Sequence, residues 1–171
     1  MPQPRRFLRL AALGVATALA CGMPVAAEAE TWSVPRTAPA TTADDPGSDA
    51  LETAVMVRIN EARVDRGLRR IRTFDGCTDR LAEKWGARIA RTGVLEHRDQ
   101  REVLRRCDHS WAGETLVRGA DLSPAAMVEL WLDSPGHRAI LLSPRARRAG
   151  VAITRDAQGR TVGVVNLVRE S

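Results

Sequence analysis

The stretch WLDSPGHRAIL, residues 131–141, places the end of a predicted helix against a turn that carries a histidine. Pro135 lacks a backbone N–H and Gly136 is conformationally permissive, so the helix is not expected to continue through these two positions. His137 is therefore predicted to lie at a sharp corner between two apolar anchors, with Gly136 in a structural role. Ser134 is expected to cap the helix end or to donate a hydrogen bond to the site.

Two other stretches carry groups that could act together with this histidine. Glu114 lies in a short apolar run that is typical of a strand, and His97 follows the end of a predicted helix. Two imidazoles and one carboxylate suit zinc or another divalent metal, with a fourth position left open for water. The same set suits general acid–base chemistry. The spacing alone leaves a third interpretation open, in which each histidine is hydrogen-bonded locally and Glu114 is paired with one of the many arginines.

The composition is that of one globular domain with a tail. The chain has 171 residues, of which 44% are hydrophobic and 27% charged, which argues against extended disorder. The net charge is +5, but Lys84 is the only lysine and acidic residues are interleaved with the arginines. We therefore expect no nucleic-acid partner, and we expect a monomer.

The N-terminus is typical of a secretory signal. Three arginines precede a short apolar run and small residues that suit cleavage, and the run is too short to span a membrane comfortably. We predict a signal peptide over residues 1–29, a flexible linker over residues 30–48 and a folded domain over residues 49–171. The protein is thus expected to be secreted, with no membrane span after cleavage. Alternatively, Cys21 anchors it as a cell-envelope lipoprotein.

The two remaining cysteines form an even pair in an oxidising compartment, which favours a disulfide between Cys77 and Cys107. Such a bridge closes a loop of about 30 residues and contributes about 3–4 kcal/mol to stability in the chain-entropy model. The alternative is two separate buried thiols.

The order of predicted elements is helix, helix, strand, helix, strand, strand. Asn60 lies inside the first helix and is expected to hydrogen-bond a neighbouring loop, and Arg63 lies one turn further on in a structural role. Trp85 and Trp131 are predicted to be largely buried, and His109 to lie on the surface. The predicted ranges are helices over 48–66, 77–91 (capped by Asp75) and from Pro124 onward, an exposed loop or short helix over 98–110, and strands over 111–117, 150–154 and 161–168. Helices packed against a mainly antiparallel sheet define the α+β class.

In chain order, several of these pieces resemble the CAP superfamily of cysteine-rich secretory proteins, antigen 5 and plant pathogenesis-related proteins. They are the NEAR sequence at 60–63, a histidine after the second helix, Gly113-Glu114 and the SPGHR sequence at 134–138. The chain resembles the short secreted bacterial members, and the resemblance covers about residues 50–168.

The resemblance implies a three-layer α-β-α sandwich with a cleft lined by two histidines and two glutamates. His97, Glu114 and His137 match three of these four positions. The chain departs from the family pattern at Thr115, where the family has asparagine, and at Ser134, where longer members carry the second glutamate. Loss of one carboxylate weakens a site for zinc or another divalent metal.

We expect the cleft to bind a small lipid, a peptide or a cell-envelope component. No GxSxG elbow or other activated nucleophile accompanies the cluster, so an enzyme is the less favoured interpretation. One alternative is a metal-dependent hydrolase that uses His97, Glu114 and His137. Another is an extracellular interaction module whose cleft is vestigial.

Overall fold

The computed structural model describes residues 48–171, which form five helices and four strands. The predicted signal peptide, Cys21 and all of the predicted linker except Ser48 lie outside these residues. In chain order the elements are α1 (Ser48–Val64), β1 (Thr73–Phe74), α2 (Gly76–Thr92), α3 (Gln100–Cys107), β2 (His109–Gly119), α4 (Pro124–Asp133), α5 (Pro135–Leu141), β3 (Arg148–Arg155) and β4 (Thr161–Glu170).

The strands form one sheet in the order β1-β3-β4-β2. β3 and β4 correspond to the two predicted C-terminal strands and form a hairpin, and β2 pairs antiparallel with β4 from Gly119 opposite Thr161 to Trp111 opposite Arg169. β1 adds a short parallel pairing with β3. The sheet is thus mainly antiparallel, as predicted, and β2 is an edge strand.

Helices cover both faces of the sheet, which gives the α-β-α sandwich. Residues of β3 and β4 are buried on alternate faces, because successive side chains of a strand point to opposite sides. One face packs against α1, α4 and α5, and the other against α2 and α3. At Gly150 a Cβ would lie 2.5 Å from the backbone of Thr78 and Asp79, so only glycine permits α2 to approach β3 this closely.

The helix ends follow their local sequence signals. Asp75 caps α2 by accepting from the backbone N–H of Thr78, and Gly93 ends α2 with a φ of 69°. Ser123 caps α4, with Pro124 at its first position. These boundaries agree with the sequence-based expectations. Within residues 48–171, every helix lacks either the length or the apolar character that a bilayer span requires.

One expectation about the elements needs correction. The SPGHR corner is not an irregular turn: α4 ends at Ser134, and Pro135 begins a second helix, α5, with His137 in its first turn. Proline is favoured at the first position of a helix, because an N–H group at that position would have no hydrogen-bonding partner within the helix. Of the two alternatives predicted for the segment between Arg98 and Ser110, the structure shows the short helix, since most of the segment forms α3.

His109 is buried rather than exposed, which corrects the prediction of a surface histidine. Its side chain is 1% exposed, and its Nε2 lies 2.9 Å from Oγ1 of Thr78 and 3.5 Å from Oδ1 of Asp75. The prediction failed because His109 begins β2 and faces the start of α2, a contact that a polar, arginine-rich sequence does not reveal.

The two tryptophans differ in burial. Trp131 is 1% exposed, as predicted, and its Nε1 donates to the carbonyl of Leu116 at 2.9 Å. Trp85 is only half-buried, which corrects the prediction. Its indole N–H donates to the carbonyl of Glu96, and the guanidiniums of Arg88 and Arg98 lie about 5 Å from its ring.

The two polar residues of α1 hold loops in place. The amide of Asn60 donates to the carbonyl of Ile71 and accepts from its N–H, which confirms the predicted loop contact. Arg63 is 1% exposed and donates to the carbonyls of Arg69, Leu141 and Ser143 at 3.0, 2.6 and 3.0 Å. Burial lowers the pKa of Arg63, and the nearby charge of Arg147 lowers it further.

The predicted disulfide is present. Cys77, at the start of α2, is bonded to Cys107, the last residue of α3, across a separation of 30 residues. The bridge ties the two helices of one face together. Gly136, by contrast, has open space around the position of a Cβ, so the structure shows no steric need for glycine there.

We expect Trp131→Ala to lower the free energy of unfolding by about 3–5 kcal/mol, because it leaves a large cavity between α4 and the sheet. Urea denaturation would measure the loss. The matched control is Leu130→Ala on the same helix, where the native side chain is 50% exposed. A Trp131→Ala protein as stable as this control would show that the core is assigned wrongly.

Arg63→Leu should also be strongly destabilising, because it leaves three carbonyl groups without their donor. Each buried unsatisfied group costs about 1–3 kcal/mol, so we expect a loss of several kcal/mol in urea denaturation. Arg66→Leu is the control, since Arg66 lies on the surface next to α1. Equal stability of the two variants would contradict the proposed anchoring role.

Candidate functional site

A cleft of about 430 Å³ runs beside the free edge of β2 and brings together all four predicted cleft residues. His97 precedes α3, Glu114 lies in β2, and Ser134 and His137 flank the start of α5. The remaining lining residues are Gln100, Trp111, Ala112, Gly113, Gly136 and Ile140. The cleft therefore has a polar cluster beside an apolar wall.

Glu114 and His97 form the centre of the polar cluster. Oε1 of Glu114 lies 2.9 Å from Nδ1 of His97 and accepts from the backbone N–H of Arg98 at 3.0 Å. The side chain of Glu114 is 1% exposed, whereas that of His97 is 56% exposed. Burial raises the pKa of Glu114 above its usual value, although the N–H of Arg98 and the imidazole of His97 act in the opposite direction.

Oε2 of Glu114 is buried and has no hydrogen-bonding partner among residues 48–171. A buried carboxylate oxygen without a donor is costly, so an unpaired one points to a water, ion or ligand that binds there.

His137 faces His97 across the cleft, with ring centroids 5.7 Å apart and the ring planes inclined at 52°. Its side chain is half-buried, and burial lowers its pKa, with a further contribution from the charge of His97. A glycine at 113 helps to position this histidine: a Cβ there would lie 2.9 Å from Cγ2 of Ile140 in α5. Gly113 therefore permits α5 to pack against β2.

Ser134 lies between α4 and α5 and lines the cleft. Its backbone N–H donates to the carbonyl of Leu130, which ends α4. Ser134 is therefore the C-cap of α4, which agrees with the predicted helix-end cap, and its hydroxyl makes no capping hydrogen bond to α5.

The edge of β2 offers unpaired backbone groups to the cleft. The carbonyl of Leu116 points away from β4, since it accepts from Trp131. In an antiparallel pair, alternate residues direct their N–H and C=O to the same side, so Ala112 and Glu114 also face the free edge. Within residues 48–171, no hydrogen bond outside the β2–β4 pairing reaches the N–H or C=O of Ala112 or Glu114.

The donor set partly fits a divalent metal. His97 and His137 can each offer a ring nitrogen, and the contact of Glu114 with Nδ1 of His97 leaves Nε2 of His97 available. In this arrangement Glu114 orients a histidine ligand, as carboxylates commonly do at zinc sites. Two protein nitrogens with open positions would hold a metal more weakly than three or four ligands.

In the described part of the chain, the one group of three ligand atoms within 4.8 Å of one another lies elsewhere, at Asp75, Cys107 and His109. Cys107 is in the disulfide with Cys77 and so has no thiolate to offer.

The family model of the CAP proteins, described as the cysteine-rich secretory protein family, matches residues 56–167. The chain belongs to this family. The match covers α1 to β4 and includes every residue that lines the cleft. No curated protein gives a significant match to the chain.

Several solved structures share the CAP fold. An outer surface protein of Borrelia burgdorferi is 18% identical with a TM-score of 0.61, over 70% of this chain and 92% of that one. An extracellular protein of Bacillus anthracis with an SCP domain is 19% identical with a TM-score of 0.63, over 72% of this chain and 41% of that one. A cysteine-rich secretory protein of Staphylococcus aureus is 15% identical with a TM-score of 0.59, over 72% and 40%. This chain thus spans about two fifths of the last two proteins.

Sequence reasoning missed the apolar wall of this CAP cleft and two of its polar neighbours. Trp111 was expected in a strand and Ile140 in the apolar run after the corner, but nothing in their spacing showed that they meet beside Gly113. Arg98 is buried and donates its backbone N–H to Glu114, and Gln100 begins α3. The one available signal was Asp99, a good helix N-cap directly before Gln100.

We expect Glu114→Gln to change the pH dependence of stability. Folding raises the pKa of Glu114. Its contribution to the free energy of unfolding is therefore fully present below the unfolded-state pKa and is lost as the pH rises through the folded-state pKa. The variant lacks this titration. The free energy of unfolding of the variant minus that of the wild type should therefore be larger at pH 7 than at pH 4, in urea denaturation.

Glu129→Gln, at an exposed position on α4, is the control for this comparison. The same difference at both pH values for Glu114→Gln would contradict a raised pKa for Glu114.

Proposed function

We propose that this CAP-domain protein is secreted and that its cleft binds a small lipid, a peptide or a cell-envelope component. The observation that carries the proposal is the unpaired, buried Oε2 of Glu114 beside an apolar wall of Trp111 and Ile140. Such a combination of apolar surface and a few convergent polar groups is typical of ligand-binding clefts.

The free edge of β2 makes an extended peptide the first ligand class to test. The unpaired backbone groups of Ala112 and Glu114 can pair with a peptide strand, and the cleft on either side can accept its side chains. A lipid would use the apolar wall but would leave these backbone groups unpaired.

The proposal of secretion rests on the N-terminal sequence, with its basic start, short apolar run and small residues over residues 1–29. Two structural neighbours agree with it, since one is an outer surface protein and another is an extracellular protein.

Metal-dependent hydrolysis is the second candidate, favoured by the contact between Glu114 and His97. A divalent metal held by His97 and His137 would activate a bound water at neutral pH. Glu114 would then orient His97 by accepting a hydrogen bond from its Nδ1–H.

Zinc-dependent melting separates these functions. If the histidines bind metal, zinc should raise the melting temperature of the wild type but not that of His97→Ala or His137→Ala, because a ligand that binds only the folded state stabilises it. Lys84→Ala, at an exposed position on α2, is the control and should behave as the wild type does. An equal response to zinc in all four proteins would exclude the histidines as metal ligands.

Ligand capture tests the binding function. The immobilised protein would be incubated with a pool of short peptides and, separately, with a lipid extract, and bound molecules identified by mass spectrometry. We expect the wild type and Lys84→Ala to retain peptides that His137→Ala loses. Retention that is identical in all three proteins would refute binding in the cleft. Cleavage of the peptides that disappears in His137→Ala would instead establish the hydrolase.

A further inference from the structure

Four arginines line a second cavity, of about 390 Å³, which shares no residue with the cleft. Arg69, Arg70 and Arg72 lie in the loop between α1 and β1, and Arg147 lies just before β3. Buried Ala146 completes the lining. We call this cavity the arginine pocket.

The two loops of the arginine pocket are held together from inside the protein. Nε of buried Arg63 donates to the carbonyl of Arg69, and Nη1 donates to the carbonyl of Ser143 on the other loop. The side chain of Arg147 donates to the carbonyls of Pro144 and Ala146, which fixes its own loop. The backbone that carries the four guanidiniums is therefore fixed before any ligand arrives.

The positive charge of the arginine pocket is not balanced within the described residues. Among residues 48–171, no carboxylate lies within ion-pair distance of Arg69, Arg70, Arg72 or Arg147. The next residue shows the contrast, because Arg148 pairs with both Asp75 and Glu170. Arg63 adds a fifth positive charge beneath the pocket, close enough to Arg147 for the two charges to interact.

Like charges at short range repel one another, so such a cluster is favoured where an anion binds. Guanidinium groups bind phosphate oxygens through pairs of parallel hydrogen bonds, which gives them a specific preference for phosphate over simple chloride. A volume of about 390 Å³ accommodates a phosphate together with part of the molecule that carries it.

We propose that the arginine pocket binds a phosphate group that carries two negative charges, on a ligand separate from that of the cleft. Two sources share this chemistry: the headgroup of an anionic phospholipid and a soluble phosphate ester. The site lies at the end of the sheet where β1 pairs with β3, whereas the cleft follows the opposite edge strand, β2.

The test uses pyrophosphate as the soluble probe and isothermal titration calorimetry at low salt. The pocket variant carries Arg69→Gln, Arg70→Gln and Arg72→Gln and keeps Arg147, whose side chain supports its loop. The matched control removes the same charge from exposed positions on α2 and α3, with Arg91→Gln, Arg101→Gln and Arg105→Gln. We expect the pocket variant to bind pyrophosphate at least tenfold more weakly than the wild type, and the control to bind within about twofold of it.

Equal weakening in the two triple variants would overturn the proposal, because it would show only the effect of net charge. Absence of pyrophosphate binding by the wild type, together with no binding to vesicles, would also overturn it. Circular dichroism and melting of both variants would confirm that they remain folded.

Vesicle sedimentation distinguishes the two sources of phosphate. Vesicles of phosphatidylcholine with roughly 20–30% phosphatidic acid would be compared with vesicles of phosphatidylcholine alone. If the wild type sediments with the acidic vesicles, pyrophosphate reverses this sedimentation and the pocket variant does not sediment, the ligand is a lipid headgroup. Pyrophosphate binding by the wild type without sedimentation would identify a soluble ester.

Discussion

The hydrogen bonds of Arg63 are the interaction on which the rest of this CAP domain depends. One buried guanidinium on α1 holds the carbonyl of Leu141, at the end of α5, and the carbonyls of Arg69 and Ser143 in two loops. The end of α5 is thereby fixed to α1, and its first turn carries His137. Truncation of this side chain would release the helix that forms one wall of the cleft and both loops of the arginine pocket. Arg63 is only 1% exposed, and its guanidinium is tolerated in the interior because three carbonyl oxygens together replace the water that would hydrate it.

The position of β2 at the edge of the sheet explains why the cleft forms where it does. A central strand has neighbours on both sides, but within residues 48–171 β2 pairs only with β4, so α5 and the segment before α3 approach its free side. Glu114 can then reach His97 on one side while Gly113 packs against Ile140 on the other. Unpaired strand edges are normally covered or charged, because they invite pairing with other chains. Here the edge is retained within a cleft, where it is available to a ligand but sheltered from other edges.

Local chemistry made much of the fold predictable from sequence. The cap at Asp75, the start of a helix at Pro124 and the two C-terminal strands depend on neighbours along the chain, and each was found where expected. Features that depend on distant contacts were missed. β1 is two residues long and exists through its pairing with β3, and His109 is buried by Thr78 and Asp75. The residue types of His97, Glu114 and His137 suggested a shared site, but only the family resemblance gave a reason to place them in one cleft, because spacing alone does not bring them together.

The departure at Ser134 gives the cleft an electrostatic character of its own. Where longer CAP proteins are expected to carry a second glutamate, this chain has an uncharged hydroxyl, and His137 has no ion pair among residues 48–171. Both burial and the charge of His97 lower the pKa of His137, which favours the neutral imidazole. A neutral imidazole can accept a hydrogen bond or ligate a metal, whereas an imidazolium can do neither. The missing carboxylate therefore removes a ligand from the site, while the surroundings of His137 favour its neutral form.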